Sequence, residues 1–369
     1  MVGLFSLCVF ASLREIFPLL APFPMLSCVI HSANDLRLEN RDVPEPGSNE
    51  VLVRLGAGGI CGSDLHYFHE GGVADFKIRQ PMILGHEVAG EIVKCDPGVS
   101  SLKPGDRVAV NPARYCGVCG QCRAGRGNLC TNVYFFGSAS RYPHVQGGFA
   151  EFFVAAETQC VRLTTEISFP EVACAEPLAV VLHAINQAGN LNSKRVLITG
   201  AGPIGLLAGV AARFAGALEI TITDRFAAPL KLASELDMDY ALNVAENPDA
   251  LKQAVSERGE FDIALEASGA VPAMINCLDS LGPGGRMVQV GMLSSAQLPF
   301  GRIIAKEIEV VGTFRFYQEY TNAVHLLERG RINVQPLITH RMPLKSALEA
   351  FNLASDKSQS VKVSLLNSP

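Results

Sequence analysis

The stretch RVLITGAGPIGLLAGVAARFAGALEITITD, from Arg195 to Asp224, constrains the fold more than any other part of this 369-residue chain. RVLITG is a short β-branched apolar run and reads as a buried strand. GAGPIG (Gly200–Gly205) supplies a glycine-rich turn, and PIGLLAGVAARFAG reads as a helix with Pro203 suited to its first turn. EITITD (Glu219–Asp224) reads as the next strand. In a G-x-G-x-x-G turn so placed, Gly200 permits the tight bend, Gly202 lets the backbone approach a pyrophosphate, and Gly205 lets helix and sheet pack closely. The helix start offers unpaired N–H groups and a partial positive charge to phosphates. Asp224, 24 residues after the first glycine, is placed to accept hydrogen bonds from ribose hydroxyls, and its charge repels a 2′-phosphate. NAD is therefore favoured, while Arg225 can accommodate that phosphate and keeps NADP open. The bland alternative is a glycine turn in an ordinary α/β domain; the order strand, glycines, helix, strand, acid argues against it. The expected cofactor contacts include Pro203 and Ile204 and, further along, Val290, Gly291, Met292, Thr313 and Phe314.

Strand and helix signals keep alternating beyond Asp224. APLKLASELDM reads as a helix, YALNV, FDIALEAS, RMVQVG and IEVVGTF as strands, and VPAMINCLDSLG as a helix between the middle pair. About six strands fit between Lys194 and Phe314, which predicts a parallel sheet covered on both faces. From Val51 to Leu163 the texture is different: short apolar runs such as EVLVRL, GEIVKC and DRVAVN are broken by Gly and Pro, and read as mostly β. The length suits roughly two domains of ~100–200 residues. We expect an extension outside the fold at 1–24, a β-rich catalytic domain at 25–182, a dinucleotide domain at 183–316, and a return to the first domain at 317–369. The apolar run before Arg14 is far short of a membrane span, and it lacks the basic start and small-residue cleavage site of a secretory signal. A targeting peptide is the alternative reading of that extension.

PARYCGVCGQCRAGRGNLC carries Cys116, Cys119, Cys122 and Cys130 in one loop, spaced C-x2-C-x2-C-x7-C. Four thiolates close a tetrahedral zinc shell with no open position, as in a structural site. The rival is an iron–sulfur cluster, but the bacterial pattern places its fourth cysteine after three residues and before a proline, whereas Cys130 follows after seven and precedes Thr131. Clustered thiols among an odd total of eleven cysteines suit metal binding in a reducing compartment better than disulfides. The net charge of −5, with no dense Lys/Arg patch, gives nucleic-acid binding, by the cysteine lobe or elsewhere, little support.

A second constellation is dispersed. GGICGSDLHYF holds Cys61, Ser63, His66 and Tyr67; LGHEVAGE holds His86 and Glu87; CAEPLAV holds Glu176. Singly these are unremarkable, since a lone buried cysteine is usually a small hydrophobe and GHEVAGE is not the H-E-x-x-H of a metalloprotease. Together they offer a thiolate, an imidazole and two carboxylates, which suits a catalytic zinc with an exchangeable position.

In this order, Cys61-Gly-Ser-Asp, Gly85-His86-Glu87, the four-cysteine lobe, Glu176-Pro177 and Gly200–Gly205 resemble the zinc-containing medium-chain dehydrogenases. The resemblance covers about Met25 to Leu366. It implies an α/β protein with a GroES-like β-rich catalytic domain, a Rossmann doubly wound parallel sheet, and a homodimer or homotetramer. Glutamate rather than cysteine at 176 is similar to the polyol branch. There Cys61, His86 and Glu87 match the catalytic zinc ligands, Glu176 stands beside the metal directly or through water, and Tyr67 and Arg315 match positions lining the substrate site. Pro229 departs from the arginine that many polyol enzymes carry there. GGICGSDLHYFHEG, FFGSASRYPHVQGGF and VQVGM further resemble the subfamily that interconverts L-idonate and 5-keto-D-gluconate. A sugar acid calls for a cation in the pocket, for which Arg141 is the candidate, supported by His144 and Arg315.

The implied chemistry is oxidation of a secondary hydroxyl. Zinc lowers the pKa of the bound hydroxyl, Ser63 accepts its proton, His66 passes that proton outward, and the nicotinamide takes the hydride. The alternatives are a sorbitol- or xylitol-type enzyme for neutral polyols, and a zinc-free dinucleotide-binding relative. Neither nucleic acid nor membrane is an expected partner, and the cytoplasm is the expected location.

Overall fold

The structure, a computed structural model, describes residues 24–255, 259–293 and 295–367. The extension expected at 1–24 lies outside the described residues except for Pro24, which opens the strand Pro24–Ser32.

The β-rich half is organised around the strand Glu50–Gly59, which buries Val51, Val53 and Leu55 on alternate positions. One of its edges pairs antiparallel with Glu87–Cys95. The other is shared end to end by Phe152–Ala156 and by Val363–Leu366 from the far end of the chain. Register matters here: Gly59 stands opposite Glu87, and Cys61 follows Gly59 by two residues as the N-cap of the helix Gly62–Glu70. Two dispersed motifs are thereby brought to one corner of the sheet. A Cβ on Gly59 would lie 2.1 Å from Glu87 Oε2, so only glycine leaves room for that carboxylate.

The second half contains six parallel strands. With Arg195–Thr199 as strand one, their spatial order is 3-2-1-4-5-6, the Rossmann arrangement. The order of strand addition reverses between the parallel neighbours Arg195–Thr199 and Phe261–Glu266, so the crevice at their carboxyl ends is the switch point where ligands bind in such sheets. The strand read as RMVQVG is longer, Leu281–Gln289, and the helix before it stops at Ser280.

The helix Ala175–Ala188 was not anticipated. A boundary at 182–183 falls inside it. One buried cluster includes Ala89 and Ala109 of the β-rich half, Leu178 and Val181 of this helix, and Ile198 and Leu206 of the Rossmann half. The helix fixes both halves and sets Glu176, its second residue, between them.

Candidate active site

The ligand atoms of Cys61, His86 and Glu87 all lie within 4.8 Å of one another. His86 and Glu87 are buried, and Cys61 is partly so. Asp64, wholly buried, supports them: its Oδ2 accepts the Cys61 N–H at 3.0 Å and its Oδ1 lies 3.5 Å from His86 Nδ1. A carboxylate behind the imidazole leaves the other ring nitrogen for a metal. Burial works against an imidazolium at His86, but the charges of Asp64 and Cys61 outweigh it and hold its pKa well above the usual range. That excess of negative charge is what a bound dication balances, so thiolate, imidazole and carboxylate here fit zinc.

Glu87 has a partner the sequence did not indicate. Lys362 Nζ lies 2.6 Å from Oε1 and 2.5 Å from Oε2, and also donates to the Ile60 carbonyl at 3.2 Å. Only Oε1 is aligned to accept, leaving Oε2 buried without a hydrogen bond. Burial disfavours the ammonium, yet Glu87 holds the Lys362 pKa above its ordinary value. Glu176 is also buried, and burial raises its carboxyl to about 7, with Glu87 pushing the same way and His86, Lys362 and Arg315 opposing. It therefore stands beside the cluster, though outside the compact three-residue set.

Ser63 Oγ is 3.4 Å from His86 Nε2. His66, three residues on along the same helix, is exposed, and its Nδ1 pairs with Glu70 at 2.8 Å. Tyr67 is buried, and its oxygen accepts the Ala139 N–H at 2.9 Å, which leaves its own proton to donate.

The candidates for binding a carboxylate separate. Arg141 hydrogen-bonds Asn132 and stacks at 4.0 Å over the Tyr134 ring. His144 is buried; its Nδ1 donates to the Arg141 carbonyl at 2.7 Å and its Nε2 accepts the Arg79 N–H at 2.8 Å. Neither nitrogen is left for a substrate, which corrects the expectation for His144: the backbone consumed both. Arg315 differs. Its guanidinium lies 4.0 Å over Phe135 and 4.9 Å from Phe314, and the Phe135 ring is 5.5 Å from that of His86. Arg315 makes no ion pair among the described residues, and burial lowers its pKa while Glu176 opposes that. Arg315 is thus a cation close to the His86 side of the cluster with no ion pair among the described residues, while the Arg141 side chain is placed against Asn132 and Tyr134.

In the four-cysteine lobe the sulfurs also gather within 4.8 Å. The Cys116–Cys122 and Cys119–Cys130 separations are 4.0 and 3.9 Å, close to the roughly 3.8 Å edge implied by tetrahedral Zn–S bonds of ~2.3 Å. Backbone N–H groups of Cys116, Cys119, Cys122 and Asn132 point at three of the sulfurs. Such bonds lower the pKa of Cys119 and Cys116, while burial and the neighbouring thiols raise that of Cys122.

At the switch point Gly200 has φ +93°, a left-handed conformation natural to glycine. A Cβ on Gly205 would meet the Gly200 carbonyl at 1.7 Å, whereas one on Gly202 would meet nothing within 4 Å. The loop is therefore closed towards the helix and open where a pyrophosphate approaches, and Pro203 and Ile204 begin the helix Pro203–Phe214. Asp224 binds this loop, its Oδ2 accepting the Ala201 N–H at 2.6 Å, while Oδ1 accepts from Arg225 and Phe226. Val290 and Gly291 donate to the Glu266 carbonyl at the ends of the neighbouring strands. Met292 is 57% exposed. Thr313 Oγ1 is buried without a partner among the described residues, and Phe314 is exposed beside it. An open glycine loop and an orphaned hydroxyl at one sheet end fit a dinucleotide.

Sequence reasoning missed Asp64, Lys362 and Phe135. Asp64 carried a signal, as an acid three residues after a helix N-cap; the other two carried none.

Residues 47–165 match the alcohol dehydrogenase GroES-like domain, and residues 203–329 match the zinc-binding dehydrogenase family. An L-idonate 5-dehydrogenase (NAD(P)(+)) of Escherichia coli K12 is 41% identical over 341 residues, covering 92% of this chain and 98% of that protein. A sorbitol dehydrogenase of Gallus gallus is 37% identical, covering 93% of this chain and 97% of its own length. The crystal structure of L-idonate 5-dehydrogenase from Escherichia coli K-12 superposes with a TM-score of 0.88 at 40% identity, covering 93% of this chain and 98% of that one.

Proposed function

The chain belongs to the zinc-dependent medium-chain dehydrogenases, and from that premise we propose that it oxidises the secondary hydroxyl of a sugar acid, L-idonate to 5-keto-D-gluconate, reversibly. It is an oxidoreductase whose cofactors are zinc and NAD(P). The observation that carries the substrate proposal is the Arg315 guanidinium. It is stacked on Phe135 beside His86 and makes no ion pair among the described residues. An arginine fork held flat against aromatic rings is suited to a carboxylate. The identity to an L-idonate enzyme supports the same reading.

When bound, zinc supplies Lewis-acid polarisation of the hydroxyl oxygen and the nicotinamide accepts a hydride. The chain's own residues do the rest. Cys61, His86 and Glu87 hold the metal, with Glu176 beside it. Ser63 Oγ accepts the hydroxyl proton as it gives up its own towards His66. His66, near it on the helix surface and exposed, carries that proton to solvent. Tyr67 offers its hydroxyl proton to the substrate. The four-cysteine lobe holds a second, structural zinc. Gly200–Gly205, Asp224 and Thr313 hold the dinucleotide.

A neutral polyol is the second reading, favoured by the 37% identity to sorbitol dehydrogenase. The test is an absorbance assay for NADH and NADPH formation with L-idonate, D-gluconate, sorbitol and xylitol side by side, on wild type and Arg315→Met. We expect the highest kcat/KM with L-idonate, and a KM increase of at least about tenfold for L-idonate that is not matched for sorbitol. A preference for sorbitol in the wild type overturns the reading.

A homo-oligomer is proposed as well. Val310 on the outer strand Glu309–Gly312 is 41% exposed, and Phe300 and Ile304 on the nearby helix are 65% and 75% exposed, an apolar surface that a second copy suits. The described cysteines are free thiols, in keeping with a reducing cytoplasm. Among the described residues no helix is long and apolar enough to cross a membrane.

A further inference from the structure

The loop that presents Arg315 is tied on both sides to the four-cysteine lobe. Arg315 has φ +53°, a left-handed conformation that a side chain adopts only when its surroundings hold it there. The carbonyl before it, of Phe314, accepts from Asn128 Nδ2 at 3.1 Å. The carbonyl after it, of Phe316, accepts from Tyr115 Oη at 2.8 Å. Tyr115 immediately precedes Cys116, and Asn128 lies two residues before Cys130. The next ring closes the brace: Tyr317 packs edge-to-face on Tyr115 at 5.0 Å, and a Cβ on Gly127 would lie 2.2 Å from it.

Asn128 is itself held. Its Nδ2 lies 3.3 Å from His183 Nε2, and His183 Nδ1 lies 2.9 Å from Glu319 Oε1. Glu319 Oε2 in turn accepts the Tyr317 N–H at 2.9 Å. The network starts in the lobe, crosses the helix that carries Glu176, and returns to the Arg315 loop.

We infer that Tyr115 and Asn128 are positioning residues that hold Arg315 in its left-handed conformation, so that the four-cysteine lobe sets substrate affinity as well as local stability. The effect on affinity rests on the reading of Arg315 as the substrate's carboxylate partner; the brace itself does not.

The test uses the full-length, zinc-loaded protein with Tyr115→Phe, which removes one hydroxyl, and Asn128→Ala. For each, hydrogen exchange at the amides of 314–318, KM and kcat for L-idonate, NADH affinity and zinc per chain are measured. We expect faster exchange at those amides and a KM raised severalfold, with NADH affinity and zinc content unchanged. Added to Arg315→Met, neither variant should raise KM further, because residues acting through one group are not additive. Wild-type exchange at 314–318 in both variants overturns the inference. Fast exchange with an unchanged KM in Arg315→Met upholds the brace and sinks the carboxylate reading instead.

Discussion

Lys362 Nζ lies 2.6 Å from Glu87 Oε1 across 275 residues of sequence, with both side chains almost wholly buried. The segment leading into the strand Val363–Leu366 thus supplies a cation to the corner where Cys61, His86 and Glu87 meet. Breaking a buried pair by removing one partner costs about 3–5 kcal/mol, because the other charge is left uncompensated. A bound metal supplies that compensation. Lys362→Met should therefore lower Tm, and the gap to wild type should be wider in chelator than in zinc. Calorimetry under both conditions checks it, and equal gaps would argue against a metal at Glu87.

The two zinc sites make separable predictions. Cys119→Ser and Cys61→Ser should each reduce metal content from two ions per chain to one. Cys119→Ser should also lower the unfolding temperature, because the lobe helix Gly120–Arg123 buries no residue of its own and a structural zinc contributes folding energy directly. Metal analysis that finds two ions in either variant refutes the assignment of that site.

Asp224 holds the glycine loop through the Ala201 N–H, and we propose that it also accepts hydrogen bonds from the adenosine ribose. Asp224→Ala should cut kcat/KM with NAD by at least about tenfold, and with NADP by clearly less, because the repelling charge leaves while Arg225 stays. Initial rates at saturating sugar acid decide the matter. An equal fall with both coenzymes means that only the loop contact matters.

Ser63→Ala should slow turnover by about 100-fold, the range of a lost proton-transfer group, with NADH affinity intact. Single-turnover absorbance and fluorescence titration separate the two. Wild-type turnover would remove Ser63 from the proton path.

Glu319 provides a pH signature. Burial alone would raise its carboxyl, but His183, the Tyr317 N–H and Asn186 outweigh that and hold it at about 2. A folded-state pKa below the unfolded value gives stability that is complete above the unfolded value, ~4.3, and is lost as pH falls through the folded value. The advantage of wild type over Glu319→Gln should thus contain a part, on the order of 2 kcal/mol, that is present at pH 7 and fades between about pH 4 and 2. Urea unfolding at pH 7 and pH 3 measures it, and a gap independent of pH contradicts it.

The features most legible in the sequence are local. Gly200 and Gly205 act within six residues of one another, and the four cysteines within fifteen, so backbone geometry over one turn or one loop is enough to bring them together. The inner strands Arg195–Thr199, Glu219–Asp224 and Phe261–Glu266 were legible for a similar reason: strands buried on both faces are mostly apolar runs. His144 misled because its residue type suits an anion, while the loop around it had already used both ring nitrogens; Arg141 spends one donor on Asn132 and lays its guanidinium over Tyr134. Nothing in SVKVSLL marks Lys362 as a charge at the active site, and nothing in TFRFY says that Arg315 is bent into a left-handed conformation.

The sequence by itself determined which chemistry the chain carries: thiolates, imidazole and carboxylates for two metal sites, and a glycine turn for a dinucleotide. Tertiary structure alone decided which charges face each other. The Gly59–Glu87 register brings two motifs to one corner, the segment leading into the returning strand delivers Lys362, and the lobe fixes Arg315. Coulomb and hydrogen-bond energies depend on distances of a few ångströms, and spacing along a chain does not encode such distances between residues that lie on different elements of the fold.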